Sequence, residues 1–281
     1  MVKVITEAKK NLSLFGRGIL IVANWFFRKA RGIDRFLSPV IDIRGVSRGF
    51  GALVRYPKFI LEYIRYRIWS DENVPLGDLY PCLHDLDSAS QSGRGHYFYQ
   101  DIWALSRIVE RMPEKHVDVG SRIDGFAGQL SAILPVEYID IRPVELSLEN
   151  FNMLVGSLLA LPYAKHSISS LSCLHVLEHV GLGRYGDPMI PHGSRMAAEE
   201  LIRVLAPQGH LFIGIPIGRE RVAFNAHRVF SPLTVASWFS ELNLVEFSIV
   251  TDEGLFRRNA NLEDYFGEEY ACGLFLFKRV A

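Results

Sequence analysis

His116-Val-Asp118-Val-Gly120-Ser121-Arg122-Ile-Asp124-Gly125-Phe-Ala-Gly128 is the stretch on which the reading of this 281-residue chain turns. Four residues of strand character end in an acid and then a glycine turn. Glycine there lets backbone approach a ligand closely, and a following helix would present free N–H groups. Gly120, Gly125 and Gly128 are spaced five and three apart, so this is not the dinucleotide pattern GxGxxG, and a bare tight turn reads nearly as well.

The same logic continues downstream. In Glu137-Tyr-Ile-Asp140-Ile an acid again ends a strand, about 20 residues on, where a dinucleotide-type fold puts the carboxylate that accepts ribose hydroxyls. Together the two features favour a nucleoside ligand. Further strands are expected at Val136–Ile141, Ile168–Leu174, His210–Pro216, Val245–Val250 and Gly273–Arg279. Helices are expected at Tyr99–Arg111, Ser194–Leu205 and near Pro232–Leu242. Strands alternating with helices give a doubly wound α/β sheet, and the last two strands suggest an antiparallel end. A third constellation runs from Leu161-Pro162-Tyr163 to His175-Val-Leu-Glu178-His179 and the loop Gly181-Leu-Gly183-Arg184-Tyr-Gly186-Asp187-Pro188. Its place at a strand's carboxyl end suits ligand binding. His175-x-x-Glu178-His179 also matches an inverted zinc motif. The segment before it reads as a strand and no third ligand stands out, so no metal is expected.

Upstream, the chain changes character. Its formal charge is zero, with 31 basic and 31 acidic side chains. Residues 1–70 carry 14 Lys/Arg against four acids, a net +10, which leaves −10 for residues 71–281. Such asymmetry signals a contact with nucleic acid, with a membrane, or between the parts. Leu12 to Phe27 is too short, and too interrupted by Arg17, to span a bilayer. It reads as a helix docked on its own domain or a second subunit, or as an interfacial helix. Arg55 to Trp69 repeats the pattern, with Phe59, Ile60, Tyr63, Ile64 and Ile68 on one face. The turn-rich residues 71–97 suggest a boundary, giving a helical basic extension at 1–90 and an α/β domain at 91–281. Cys82, Cys173 and Cys272 form no CxxC pair, so a reducing, cytoplasmic setting is expected.

These residues resemble the class I S-adenosylmethionine-dependent methyltransferases: Asp118-Val-Gly120, Asp140, Leu161-Pro162-Tyr163, and Glu200-Leu-Ile-Arg-Val-Leu-Ala-Pro-Gln-Gly-His-Leu-Phe-Ile-Gly-Ile-Pro216. More narrowly, His96-Tyr-Phe-Tyr-Gln-Asp101, Cys173 to Pro188 and Phe224-Asn-Ala-His-Arg228 resemble the DUF268 family, over about residues 80–281. The resemblance implies a Rossmann-like, mostly parallel seven-stranded sheet and an S-adenosylmethionine cofactor. Asp118, Gly120 and Ser121 would line its methionine end, Asp140 would hold the ribose, Leu158 would lie by the adenine, and His175 would sit near the reacting methyl. The acceptor implied is a sugar or surface-glycan intermediate, methylated on oxygen. His179, then His192, then His227 are the candidate bases, and Arg184, Asp187 and Arg228 the acceptor contacts. The pattern departs from the superfamily at Arg122 and Asp124, at Ser157 and at Gln208-Gly209. A degenerate site serving as a binding or membrane-surface partner in polysaccharide assembly is therefore the alternative. Nucleic acid is not an expected partner, because the site lies in the acidic part of the chain. Peripheral membrane contact through residues 1–70 and a homodimer stay open.

Overall fold

The computed structural model describes residues 43–70, 72, 76, 79 and 95–280. The chain divides into two units, Met1–Ser90 and Gln91–Ala281. The first contains helix α1 (Ile43–Trp69), which runs through Pro57. Its Ile60, Ile64 and Ile68, expected on one apolar face, are exposed. The Leu12–Phe27 expectation lies outside the described residues, among which no helix is long and apolar enough to cross a membrane.

The second unit opens with α2 (His96–Val109), then β1 (His116–Val119), a π-helical turn (Ile123–Ala127), α3 (Gly128–Ser131), β2 (Val136–Asp140), β3 (Phe151–Val155) and β4 (Ile168–Leu174). After a 3-10 turn at Leu177–His179 come α4 (Gly193–Val204), β5 (Leu205–Ile217), β6 (Arg221–Ala223), β7 (His227–Val229) and α5 (Pro232–Trp238). The domain closes with β8 (Asn243–Val250), β9 (Phe256–Arg257) and β10 (Ala271–Lys278). The sheet order is β3-β2-β1-β4-β5-β10-β8-β9. Strands β1 to β5 pair in parallel, and β10 runs antiparallel to both β5 and β8. This is the Rossmann-like class I methyltransferase fold expected from sequence, with eight strands instead of seven because the short β9 extends the edge.

Both faces of the sheet are covered, which is why its strands read as near-continuous apolar runs. Along β10, Phe275 and Phe277 enter one core with Leu201 and Phe239, while Leu274 and Leu276 enter the other with Trp103 and Phe126. Arg107 of α2 meets Glu246 of β8 at 2.7 Å, and Trp103 Nε1–H also donates to that carboxylate, fixing α2 on its face. Strand β5 starts five residues before the expected His210. Gln208 takes the left-handed turn position at φ 61°, while a Cβ on Gly209 would lie 2.8 Å from the Ala206 carbonyl. Glutamine at the usual first glycine is thus accommodated, and the second position is the one that needs glycine. Strand order reverses between β1 and β4, which opens a crevice at their carboxyl ends.

Candidate active site

Three chain segments leave the sheet at that crevice. After β1, Gly120 turns at φ +71°, and a Cβ there would meet both methyls of Val176 at 3.2 Å. After β4, His175 itself adopts φ 57°, a conformation uncommon for a non-glycine residue, and redirects the chain into the 3-10 turn. At the end of β2, Asp140 lines the opening. Between them lies a solvent-open cleft of about 680 Å³, lined by Gly120, Asp140, Leu158, His175, His179 and Asp187, together with Arg142 and Tyr185. A concave opening at this switch point is where open α/β sheets take small ligands.

Asp118 and Ser121, expected to line the cleft, are instead buried beneath it. Asp118 accepts from the Ser121 amide at 3.0 Å, from Ser121 Oγ at 2.6 Å and from Ser172 Oγ, and Ser121 Oγ in turn accepts from the Leu174 amide. His116, fully buried, extends this chain, with Nε2 2.8 Å from Ser172 Oγ and Nδ1 2.7 Å from Ser170 Oγ. Because Ser172 O–H donates to Asp118, its oxygen accepts from His116 Nε2–H, and Nδ1 accepts from Ser170. The neutral imidazole is thereby specified, and burial pushes the His116 pKa down to about 3. Burial raises the Asp118 carboxyl to about 6 against the hydrogen bonds from Ser121 and Ser172. These groups brace the Gly120 turn from below rather than contact a ligand.

Asp140 is occupied by its neighbour. The Arg142 guanidinium donates from Nε to Oδ1 at 3.1 Å and from an Nη to Oδ2 at 3.0 Å, and the Arg142 amide donates to Oδ1 at 2.8 Å. Arg142 also lies over the Tyr185 ring at 4.6 Å. By contrast, Arg122 and Asp124, the atypical turn residues, form an exposed ion pair and stay off the cleft wall. Asp124 carboxyl is held below its ordinary range by that guanidinium.

The candidate bases separate clearly. His179 lines the cleft, and its Nδ1–H donates to the Ala226 carbonyl at 2.7 Å, which leaves Nε2 with the lone pair. Burial lowers its pKa, against the opposing charge of Glu178, so the ring is neutral at working pH. His192 is exposed at the start of α4 and does not line the cleft. His227 lies on β7 with its ring 4.9 Å from that of Tyr270, also off the cleft wall. Among the expected acceptor contacts, Arg228 is buried and spends its guanidinium on Val180 O, Ser194 Oγ and Pro191 O, clamping the glycine-rich loop. Asp187 accepts the Gly181 and Tyr185 amides of that loop and still borders the cleft. Exposed Arg184 donates to Ala226 O beside His179.

His175 and His179 do not share a helix face as the zinc motif requires. Glu178 sits between them instead, 2.8 Å from His175 Nδ1 and 3.7 Å from His179 Nε2. What sequence spacing did not reveal is that His96 and Tyr97 of α2 lie against His175, with Tyr270 before β10 stacked on His96. A clue existed in the density of aromatic and histidine residues in His96-Tyr-Phe-Tyr, but nothing local says which loop they meet.

Sheet order and cleft together define a Rossmann-like α/β domain with an opening at its switch point. Residues 124–254 match the family model described as Caenorhabditis protein of unknown function, DUF268, so the family resemblance is borne out over that segment. No curated protein matches the chain. Among solved structures, the N-methyltransferase NodS of Bradyrhizobium japonicum WM9, in complex with S-adenosyl-L-homocysteine, is 14% identical with a TM-score of 0.45, covering 70% of this chain and 91% of that one. The Burkholderia thailandensis 1,6-didemethyltoxoflavin-N1-methyltransferase is 14% identical with a TM-score of 0.44, covering 66% and 84%. The YcgJ protein of Bacillus subtilis is 13% identical with a TM-score of 0.46, covering 64% and 99%.

Proposed function

We propose that this protein is an S-adenosylmethionine-dependent O-methyltransferase acting on a hydroxyl of a sugar or surface-glycan intermediate. The observation that carries the reading is the convergence of Gly120, Asp140, Leu158, His175 and His179 on one cleft at the sheet's switch point. The residues fit the cofactor. Gly120 and Gly156 line the cleft, Asp140 is an acceptor for ribose hydroxyls once Arg142 swings aside, and Leu158 offers an apolar wall. When bound, the cofactor supplies an electrophilic methyl on a sulfonium. Most of the acceleration then comes from holding the acceptor oxygen in line. His179 Nε2 takes the hydroxyl proton, and Arg184 and Asp187 orient the acceptor at the rim. The buried free thiols of Cys173 and Cys272 support a reducing, cytoplasmic setting. The basic residues 1–70 would face anionic lipid at the membrane's inner surface or a second subunit.

One observation favours a second reading. Both oxygens of Asp140 already have donors from Arg142, so a degenerate cleft that serves a polysaccharide assembly as a binding partner is the rival. Incubation with methyl-labelled S-adenosylmethionine and a panel of nucleotide sugars and polysaccharide fragments separates the two. Label on a glycan oxygen, lost in His179→Ala, is expected; cofactor binding with no transfer to any panel member would favour the rival.

A further inference from the structure

A ring nitrogen of His96, a ring nitrogen of His175 and the sulfur of Cys272 lie within 4.8 Å of one another. They come from three distant places in the chain: the first residue of α2, the left-handed residue after β4, and the second residue of β10. Cys272 is fully buried, His175 is 7% exposed, and His96 is half-buried. Aromatic rings close around them. His96 stacks on His175 at 5.6 Å and on Tyr270 at 5.3 Å, and Tyr97 lies 4.9 Å from His175.

His175 supplies an independent sign of a ligand. A carboxylate only accepts, so the 2.8 Å contact with Glu178 Oε1 assigns the proton to Nδ1. Its Nε2 is buried and has no hydrogen-bond partner, and neither has Glu178 Oε2. An unpaired buried polar atom is costly, so folds seldom retain one without use. A histidine that gives one N–H to a carboxylate and keeps the other nitrogen free is arranged as metal-bound histidines are.

We propose that His96, His175 and Cys272 bind a divalent transition-metal ion of the zinc class, with one coordination position left open. Two imidazoles and a thiolate select zinc-like ions over magnesium or calcium, which prefer oxygen. Ligands about 2.0–2.3 Å from a tetrahedral zinc lie roughly 3.3–3.6 Å apart, so closure asks for a shift of about 1 Å. His96 can provide it by rotating its partly exposed ring. Because His175 also borders the cleft, the open position would face an acceptor oxygen and lower the pKa of a hydroxyl or water bound there. The site stands whether or not the cleft transfers methyl groups. In it Glu178 orients a ligand rather than being one.

The test uses the full chain, stripped with a chelator and titrated with Co²⁺ and then Zn²⁺. One equivalent of Co²⁺ should give tetrahedral visible absorption and a sulfur-to-cobalt charge-transfer band, and Zn²⁺ should displace both. Cys272→Ala should lose the charge-transfer band, while Cys173→Ala, at the other buried thiol, should keep it. His96→Ala, at a half-buried helix start, should weaken Co²⁺ at least tenfold, and Glu178→Gln about 10- to 100-fold. Zn²⁺ should raise the melting temperature of the unmodified chain and not that of His96→Ala. Should Cys272→Ala fail to fold, His96→Ala decides alone. Absence of stoichiometric binding, or binding unchanged in His96→Ala, would overturn the site.

Discussion

Arg142 and Asp140, two residues apart at the mouth of the cleft, form a two-pronged ion pair at 3.1 and 3.0 Å. The guanidinium occupies the carboxylate oxygens that a ribose would need. The Arg142 side chain is 55% exposed, so the pair is worth at most about 1 kcal/mol. Arg142→Ala should therefore tighten cofactor binding by up to about fivefold. Asp140→Ala removes charge-assisted acceptors worth roughly 1.5–3 kcal/mol and should weaken binding tenfold or more. Calorimetric titration of both variants checks the pair; a weaker affinity in Arg142→Ala would mean that the guanidinium contacts the ligand.

His179 is assigned the proton. His179→Gln should cut the transfer rate by about 10²- to 10⁴-fold while cofactor affinity stays within twofold. A base loses activity as pH falls through its pKa, and burial sets that of His179 below the ordinary 6.5. The acid limb of the rate profile should thus fall below pH 6.5. A limb centred above it would point to another group.

Arg228 is a clamp, not an anion site. Arg228→Ala strands the Val180 and Pro191 carbonyls and should lower stability by about 2–4 kcal/mol in denaturant unfolding. Arg228→Lys should recover only part of it, since one ammonium cannot reproduce the fork. A fully stable Arg228→Ala with a raised KM alone would restore the acceptor-binding role.

Stability should fall on acidification. His96 and His210, pushed down to about 4, and His116, pushed down to about 3, mainly by burial, take up protons on unfolding between those values and 6.5. Folding free energy therefore drops as pH goes from about 6.5 to 4. Asp118 works the other way between its ordinary 3.8 and about 6, offsetting one of the three. His175, raised instead, acts above 6.5. Urea midpoints at pH 7, 6, 5 and 4 test the sum; a flat profile would contradict the buried neutral histidines.

Much of this was legible locally. Gly120, Asp140, His175 and His179 each end or follow a strand whose apolar pattern is visible, and strand ends at a switch point converge by topology alone, whereas Leu158 came only through the family resemblance. Asp118 was misjudged because its burial depends on Ser172, its register partner on β4, 54 residues away. Arg228 was expected to contact the acceptor because its actual partners lie 34 to 48 residues upstream. Strand β3 went unread, since only its backbone pairing with β2 distinguishes Phe151–Val155 from loop. The cluster of His96, His175 and Cys272 joins three elements that only the closed sheet assembles. The charge split, +10 before residue 71 and −10 after, leaves the cleft in the acidic part.

The most direct test of the central claim is calorimetry of the full chain with S-adenosylhomocysteine. Saturable one-to-one binding in the micromolar range, weakened tenfold or more in Asp140→Ala and unchanged in His192→Ala, is the predicted result. No heat at millimolar ligand, or binding indifferent to Asp140→Ala, would contradict the assignment of this cleft.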